Sequence, residues 1–464
     1  MSQEYPRFAV VGHPNKGKSS IVSTLAHDES VHISTLPGTT TKQRSYPLKV
    51  DGVTLYALYD TPGFQRARAI LSWLKQEETP AHKRVDRVKK FIYEHRDNPR
   101  YQDEIELLEP IINGAGIIYV VDGSKPYGVE YEAEMQILLW TGQPSMALIN
   151  LIDTTDYVAE WKMALGQHFQ MVRLFNPMQA NFAQHITLLE SMAQLKEEWT
   201  ELVKESIKIF KLYQQQKITY SSELITTLII DSLSLTLTSS IKGTQATKSQ
   251  ELQLTQEYKQ KLRLLEEEAH HTLAKIWNHL LLEKSSQLLL LENIDLFSKE
   301  SETLFGLSKQ ELIATGVAGG ALTGSGVDLM LAGSSLMLGS TLGAVIGGAG
   351  ALFGYKEVAQ LKILGHKLGH KYIQMGPIQH ANFPYILLKR VLYYTQEIAN
   401  RPHANRAKIT MDSSLIQKEF TLETKTKKTL DKMHTLLQKG DRPKEKLIEE
   451  YKQLIYQILI DRVE

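Results

Sequence analysis

No cysteine occurs among the 464 residues. That excludes disulfides, thiolate metal sites and thiol catalysis, and it suits a reducing compartment. Net charge is nearly absent too, at +1. No global field recruits nucleic acid or anionic membrane, so DNA binding is not expected and any such contact needs a local patch. Met1 to Arg7 lacks the apolar core of a signal peptide, so the mature chain is expected to begin here, on the cytoplasmic side. No period marks a repeat array, and nothing resembles a hydrolase nucleophile elbow. His366 and His370 could share a helix face, but no carboxylate sits between them in the zincin pattern, which favours surface histidines over a metal pair. What remains is a globular composition, 42% hydrophobic and 23% charged, in a chain too long for one ordinary domain of roughly 150 residues.

Phe8–Val11, Val53–Tyr59, Ile117–Val121, Met146–Ile149 and Met171–Phe175 are short apolar runs that read as buried strands. Helical stretches such as Ser19–Leu25, Tyr131–Leu139 and Tyr157–His168 lie between them. The alternation predicts an α/β fold with a doubly wound, mostly parallel sheet and ligands at the carboxyl ends of its strands. Phe64–Pro110 is a long, charged connection that reads either as an enlarged switch region or lid, or as a solvated helical insertion. Beyond about residue 185 the pattern turns helical, which divides the chain into an α/β domain over 1–190 and an all-α domain over 191–464. Gln250–Leu282 has coiled-coil-like spacing, and Gly440 and Pro443 separate the helices Leu415–Gln438 and Lys444–Ile460. The lysine-rich stretch Lys425–Lys446 reads as a solvated helix face ahead of an RNA or lipid contact. Leu312–Tyr355 holds one charge, Asp328, and glycines four apart at Gly316, Gly320 and Gly324 and at Gly339, Gly343 and Gly347. That spacing puts each glycine set on one helix face and predicts a helical hairpin bent near Asp328.

Gly12-His13-Pro14-Asn15-Lys16-Gly17-Lys18-Ser19 follows the first strand and, with Ser20, opens the first helix. The pattern is that of a phosphate-binding loop: its N–H groups converge on phosphate oxygens and the helix N-terminus adds positive potential. Lys18 is placed to reach the β- and γ-phosphates, and the Ser19 hydroxyl to ligate Mg²⁺. Asp60-Thr61-Pro62-Gly63 ends the second strand, where Asp60 can hold Mg²⁺ through water and the Gly63 N–H can sense a γ-phosphate. Between them, Pro37-Gly38-Thr39-Thr40-Thr41 sits where a first switch belongs; Thr40, or else Thr39, is the candidate for giving its hydroxyl to Mg²⁺. Asn150-Leu151-Ile152-Asp153 follows the fourth strand. A carboxylate at Asp153 can accept from guanine's ring N–H and amino group, donors that adenine lacks there. Asn150 could bond the purine and brace the loop, and Asn176 is placed for the last base loop, although Asn-Pro is also a plain turn.

Together these residues resemble the Era-like GTPases of the TrmE–Era–EngA–septin superclass, over roughly Phe8 to Phe182. Tyr119-Val120-Val121-Asp122-Gly123-Ser124, Glu134-Met135-Gln136-Ile137-Leu138, Trp140-Thr141-Gly142-Gln143-Pro144, Asn382-Phe383-Pro384-Tyr385 and the hairpin with Asp328 look like a bacterial subgroup with an uncharacterised helical C-terminal domain. The resemblance implies GTP and GDP binding with Mg²⁺, and GTP hydrolysis by a switch that places Lys18, Thr40 and Gly63 around the phosphates. Two departures stand out: Leu151 replaces the lysine of the Asn-Lys-x-Asp base motif, and Phe64 stands where Ras-like proteins put a water-orienting glutamine. In Era-like relatives that use K⁺ as a catalytic cation, an asparagine at the position of Asn15 helps hold it. Otherwise a partner or a second G domain has to supply the activating group. Three outputs stay open: a GTPase on the inner face of the cell membrane contacting lipid or a membrane protein through 312–355, a soluble switch with the hairpin packed inside, and a ribosome or RNA factor. The last lacks a recognisable RNA-binding module, since Gly347–Gly350 offers Gly-x-x-Gly only within an apolar run.

Overall fold

The computed structural model describes residues 5–27, 44–241, 246–279, 295–307, 356–358, 362–363, 366–367, 372–405 and 424–463. Thr39, Thr40, His370 and all of Leu312–Tyr355 lie outside the described residues. The chain forms two compact units, one of Met1–Gln215 with Asn400–Ala407, the other of Gln216–Ala399 with Lys408–Glu464.

The first unit is built on a sheet with strand order β2-β3-β1-β4-β5-β6. Its strands are β1 (Arg7–Val11), β2 (Arg44–Val50), β3 (Val53–Asp60), β4 (Gly116–Asp122), β5 (Ser145–Asn150) and β6 (Met171–Phe175). Every neighbouring pair is parallel except β2 with β3. The doubly wound, mostly parallel sheet is therefore present, and each apolar run is a strand. β2 has no counterpart among those runs. It turns Tyr46, Leu48 and Val50 inward and Ser45, Pro47 and Lys49 outward, an alternation suited to an edge strand that covers one face, where proline is tolerated.

Period-two alternation splits each strand between two cores. Phe8 and Val10 face one, with Ile21, Val22 and Leu25 of α1 (Lys18–Ala26), Ile186 and Met192 of α7 (Phe182–Ala193), and Trp199, Val203 and Phe210 at the start of α8 (Glu197–Ser234). Ala9 and Val11 face the other. There Phe64–Pro110 forms α2 (Ala67–Leu74), α3 (Arg84–His95) and much of α4 (Gln102–Ile112), and buries Phe64, Ile70, Leu74, Val88, Phe91, Ile105 and Leu108. The same core takes Tyr131, Met135 and Leu138 of α5 (Glu130–Trp140) and Trp161 and Leu165 of α6 (Val158–Leu165). The long connection is thus a packed layer of the domain, because its apolar residues recur at helical spacing, and it is not a solvated insertion.

The second unit is helical. The later turns of α8 contribute Ile218, Ile225, Ile229 and Leu233 to a core shared with Leu254, Tyr258, Leu262 and Leu273 of α9 (Lys248–Ile276) and Phe305 of α10 (Lys299–Phe305). Helices α11 (Phe383–Ala399), α12 (Thr424–Gln438) and α13 (Glu445–Val463) complete it with Leu388, Leu430 and Tyr451 among others. Small antiparallel sheets accompany the helices: β7 (Leu237–Ser240), β11 (Tyr372–Met375) and β8 (Lys356–Val358) in one, β9 (Lys362–Ile363) and β10 (His366–Lys367) in the other. His366 accordingly lies on a strand rather than on a helix. Among the described residues no helix is long and apolar enough to cross a membrane.

The core of this unit contains an ion pair. Arg390 donates from Nε to Glu266 Oε1 at 2.6 Å and from Nη2 to Oε2 at 3.1 Å, and from Nη1 to Ser301 Oγ at 3.1 Å. Both side chains are buried. A bidentate pair offsets much of its own desolvation, but either charge left alone does not. Glu266→Ala should lower stability by about 3–5 kcal/mol, whereas the double change Glu266→Leu with Arg390→Met should cost clearly less. Urea unfolding of the three proteins checks this; a single variant no worse than the double one contradicts it.

Candidate functional site

β1 lies between β3 and β4, so its carboxyl end opens into the crevice where connections leave on opposite faces of the sheet. The loop that follows is shaped by backbone constraint. Gly12 has φ +140°, and a Cβ there would stand 2.4 Å from the Val120 carbonyl oxygen. Gly17 has φ +83° and caps α1, and its Cβ would meet Asn150 Nδ2 at 2.2 Å. Asn15, exposed at φ 60°, uses the left-handed conformation that asparagine tolerates better than most residues.

Two distant segments converge on this loop. Lys18 Nζ donates to the His13 carbonyl at 3.0 Å. Burial lowers the Lys18 pKa to about 8; Asp60 first and then Glu134 oppose the fall, while Lys16 adds to it. Ser19 Oγ donates to Asp60 Oδ2 at 2.8 Å, bringing together two of the three sequence-predicted Mg²⁺ ligands. Asn150 Nδ2, from the end of β5, donates to the Lys16 carbonyl at 3.0 Å. Thr61 Oγ1 donates to the Val10 carbonyl at 2.8 Å, and the Phe64 N–H to the Gly12 carbonyl at 3.3 Å. Gly63 then lies so close to the loop that a Cβ would be 2.6 Å from Pro14 N and 2.8 Å from its Cδ. Ser20 is half-buried in the first turn of α1.

Other predicted residues stand apart. Asp153 is exposed in the loop after β5. The Asn176 side chain accepts from the Met178 N–H at 2.9 Å, so it closes the turn at Pro177. Phe64 is buried in the second core, where it is remote in character from any water-orienting role.

Sequence reasoning missed the acids behind the loop. Glu134 of α5 pairs with His13, Asp122 lies 3.8 Å from Lys16 Nζ, and Glu104 of α4 accepts the N–H groups of Gln65 and Arg66 at 3.0 and 2.6 Å. Burial raises the Glu104 carboxyl pKa, and those two N–H bonds pull it back. The available signal was an acid on an otherwise buried helix face: Glu134 lies three or four positions from Tyr131, Ile137 and Leu138, and Glu104 from Leu107 and Leu108.

Comparison with known families bears on this arrangement. Residues 162–460 match the domain of unknown function DUF3482, well over half of the chain. The chain belongs to the DUF3482 family. Residues 7–150 of this DUF3482 chain match the 50S ribosome-binding GTPase model, which supports a P-loop GTPase of the Era–TrmE–EngA class over that segment. GTPase Der of Thermoanaerobacter sp. (strain X514) is 33% identical over 125 residues, 26% of this chain and 28% of that protein. GTPase Der of Herminiimonas arsenicoxydans is 47% identical over 60 residues, 13% of each chain. The DUF3482 chain thus spans less than a third of the length of these curated relatives. A crystal structure of Era with MgGDPNP and a 16S ribosomal RNA fragment aligns over 41% of this chain and 57% of that one, at 16% identity and a TM-score of 0.28. An Aquifex aeolicus Era variant bound to GDP·AlF4⁻ covers 48% and 68%, at 15% identity and the same score. Scores of that size do not indicate a shared overall arrangement.

The approach of Gly63 to Pro14 gives a direct test of the assembled site. A methyl group at Gly63 meets backbone and a rigid ring, neither of which can yield cheaply. Gly63→Ala should therefore push the two segments apart and weaken guanine nucleotide binding by about tenfold or more, a loss comparable to one charge-assisted hydrogen bond. Calorimetric titration with GDP and a GTP analogue reads it; undiminished affinity for both contradicts the geometry.

Proposed function

We propose that the protein binds GTP with Mg²⁺, hydrolyses it to GDP and phosphate, and uses the two nucleotide states as a switch read by its helical second unit. The observation that carries this reading is the convergence of Lys18, the Ser19–Asp60 pair, Gly63 and Asn150 on one loop at the end of β1. The N–H groups of Asn15 to Ser20 and the start of α1 hold the β-phosphate. Lys18 moves its ammonium from the His13 carbonyl to the β- and γ-phosphates. Ser19, Asp60 and Thr40 are the Mg²⁺ ligands; a hydroxyl and a carboxylate 2.8 Å apart are oxygen donors that suit the ion. Bound there, Mg²⁺ neutralises charge on the phosphate oxygens. The Gly63 N–H reads the γ-phosphate, and Asp153 selects guanine, with Asn150 and Asn176 as the further candidates for base contacts. Leu151 in place of lysine removes one side of the base cleft and lowers affinity.

Phe64 is committed to the core and cannot polarise water. Asn15, exposed in the loop, is the residue that would hold a K⁺ ion against the phosphates, an electrostatic role like that of an arginine finger; a second G domain is the other source of that charge. For the output, the single charge and four-residue glycine spacing of Leu312–Tyr355 support contact with a membrane or membrane protein at the inner face of the cell membrane, and the absence of cysteine suits a cytoplasmic protein. A second reading, association with the ribosome or RNA, is favoured by the description of the model that residues 7–150 match.

One set of assays tests the chemistry. Lys18→Ala should weaken GTP by about 100-fold. Asp153→Asn should weaken GTP and relax discrimination against xanthine nucleotides, whose carbonyl an amide can meet. Steady-state phosphate release at fixed ionic strength should be faster in KCl than in NaCl or choline chloride, and Asn15→Ala should remove that difference. A Lys18 variant that binds and turns over GTP like the parent overturns the phosphate-site assignment; equal rates in the three salts overturn the K⁺ role alone.

A further inference from the structure

One buried acid faces the phosphate loop without touching any residue assigned to phosphate or Mg²⁺ through its side chain. Glu134 has a side-chain exposure of 3%. Its Oε1 accepts from His13 Nδ1 at 2.8 Å, and its Oε2 accepts from the Tyr119 hydroxyl at 2.9 Å. A carboxylate only accepts, so His13 carries a proton on Nδ1. Tyr119 belongs to central strand β4, is buried, and stacks on Phe169 with ring centroids 5.2 Å apart. The acid is therefore anchored to a fully buried strand in the interior of the sheet. Tyr131, one turn before Glu134 on α5, meets the His13 ring edge to face at 5.4 Å. The backbone of His13 is in use as well, because its carbonyl is the one that holds Lys18 Nζ at 3.0 Å.

Burying a carboxylate costs several kcal/mol unless partners satisfy it, and an apolar side chain at position 134 would fill the same core at no such cost. A charge retained there calls for a reason beyond packing. The bonding pattern supplies one: the loop residue gripped by the acid is the residue that orients the essential lysine.

We propose that His13 and Glu134 form a positioning pair for the phosphate loop. Glu134, anchored by Tyr119, grips the imidazole and so fixes the carbonyl that aims Lys18, setting the loop for polyphosphate before any nucleotide arrives. The inference rests on the phosphate-site reading above. Once nucleotide is bound, the phosphates themselves hold the loop and Lys18. Loss of the pair therefore removes preorganisation, which acts on affinity and leaves the filled site nearly intact.

The test uses the full chain with His13→Ala, Glu134→Ala, Glu134→Gln and the double alanine variant, titrated with fluorescent GDP and with inorganic pyrophosphate. Each alanine change should weaken both ligands by about tenfold, the worth of one charge-assisted hydrogen bond. The double variant should be no weaker than the worse single one, since both remove one interaction. Glu134→Gln keeps an oxygen that accepts from Nδ1 but loses the charge, and should weaken both ligands by clearly less than Glu134→Ala does. KM for GTP should rise with Kd while kcat changes by less than about twofold. A purely structural role would instead lower the unfolding midpoint and leave Kd alone. His13 is partly exposed, so its variant keeps the test open where Glu134→Ala fails to fold. Unchanged affinity in folded His13→Ala, additive losses, or a fall in kcat at constant KM would each overturn the pair. A parent that binds pyrophosphate but no guanine nucleotide removes the base assignment and leaves the pair standing; a parent that binds neither overturns both.

Discussion

The first unit depends on crowding at the carboxyl end of β1. Three glycines there have no room for a methyl group: Gly12 against Val120 of β4, Gly17 against Asn150 of β5, and Gly63 against Pro14. Hydrogen bonds from Thr61 to Val10 and from Phe64 to Gly12 tie the segment that holds Gly63 to β1 and the loop, and one from Asn150 to Lys16 ties the loop to the end of β5. Strain at one backbone position would be costly. Here the surrounding sheet over-determines the loop and holds its backbone in place.

Around that fixed point the domain places charge in an ordered way. Burial, with a smaller contribution from Lys16, lowers the Lys18 pKa, and two carboxylates, Asp60 and Glu134, counter it. One of these pairs with Ser19 and is suited to a metal; the other pairs with His13 and is tied into the core. Glu104 performs a comparable task on the segment after Gly63, where it holds the N–H groups of Gln65 and Arg66. The helices between Phe64 and Pro110 are thus part of the support of the site, because they bring Glu104 to it.

Much of this was legible in the sequence, for a physical reason. Strands buried on both faces need continuous apolar runs, so β1, β3, β4, β5 and β6 stand out. The phosphate loop stands out because its glycines occupy positions that no other residue fits. β2 did not, since an edge strand needs only Tyr46, Leu48 and Val50 inward and admits Pro47. The short strands of the second unit did not either, because two to four residues carry no periodicity. His13 and Glu134 are separated by 121 positions, and a pairwise contact at that separation leaves no local pattern. The turn role of the Asn176 side chain was one of two readings that Asn176-Pro177 left open, since the pair suits a turn as well as a base loop.

On the proposed function, a preset loop takes polyphosphate and Gly63 distinguishes three phosphates from two. Hydrogen exchange of the full chain with Mg²⁺, alone, with GDP and with a non-hydrolysable GTP analogue, measures it directly. The account predicts slowed exchange at Gly17 to Ser20 with either nucleotide, and at Gly63 and Phe64 with the triphosphate analogue only. Protection at Gly63 that is equal with GDP, or no change at Gly17 to Ser20 with either ligand, would contradict it.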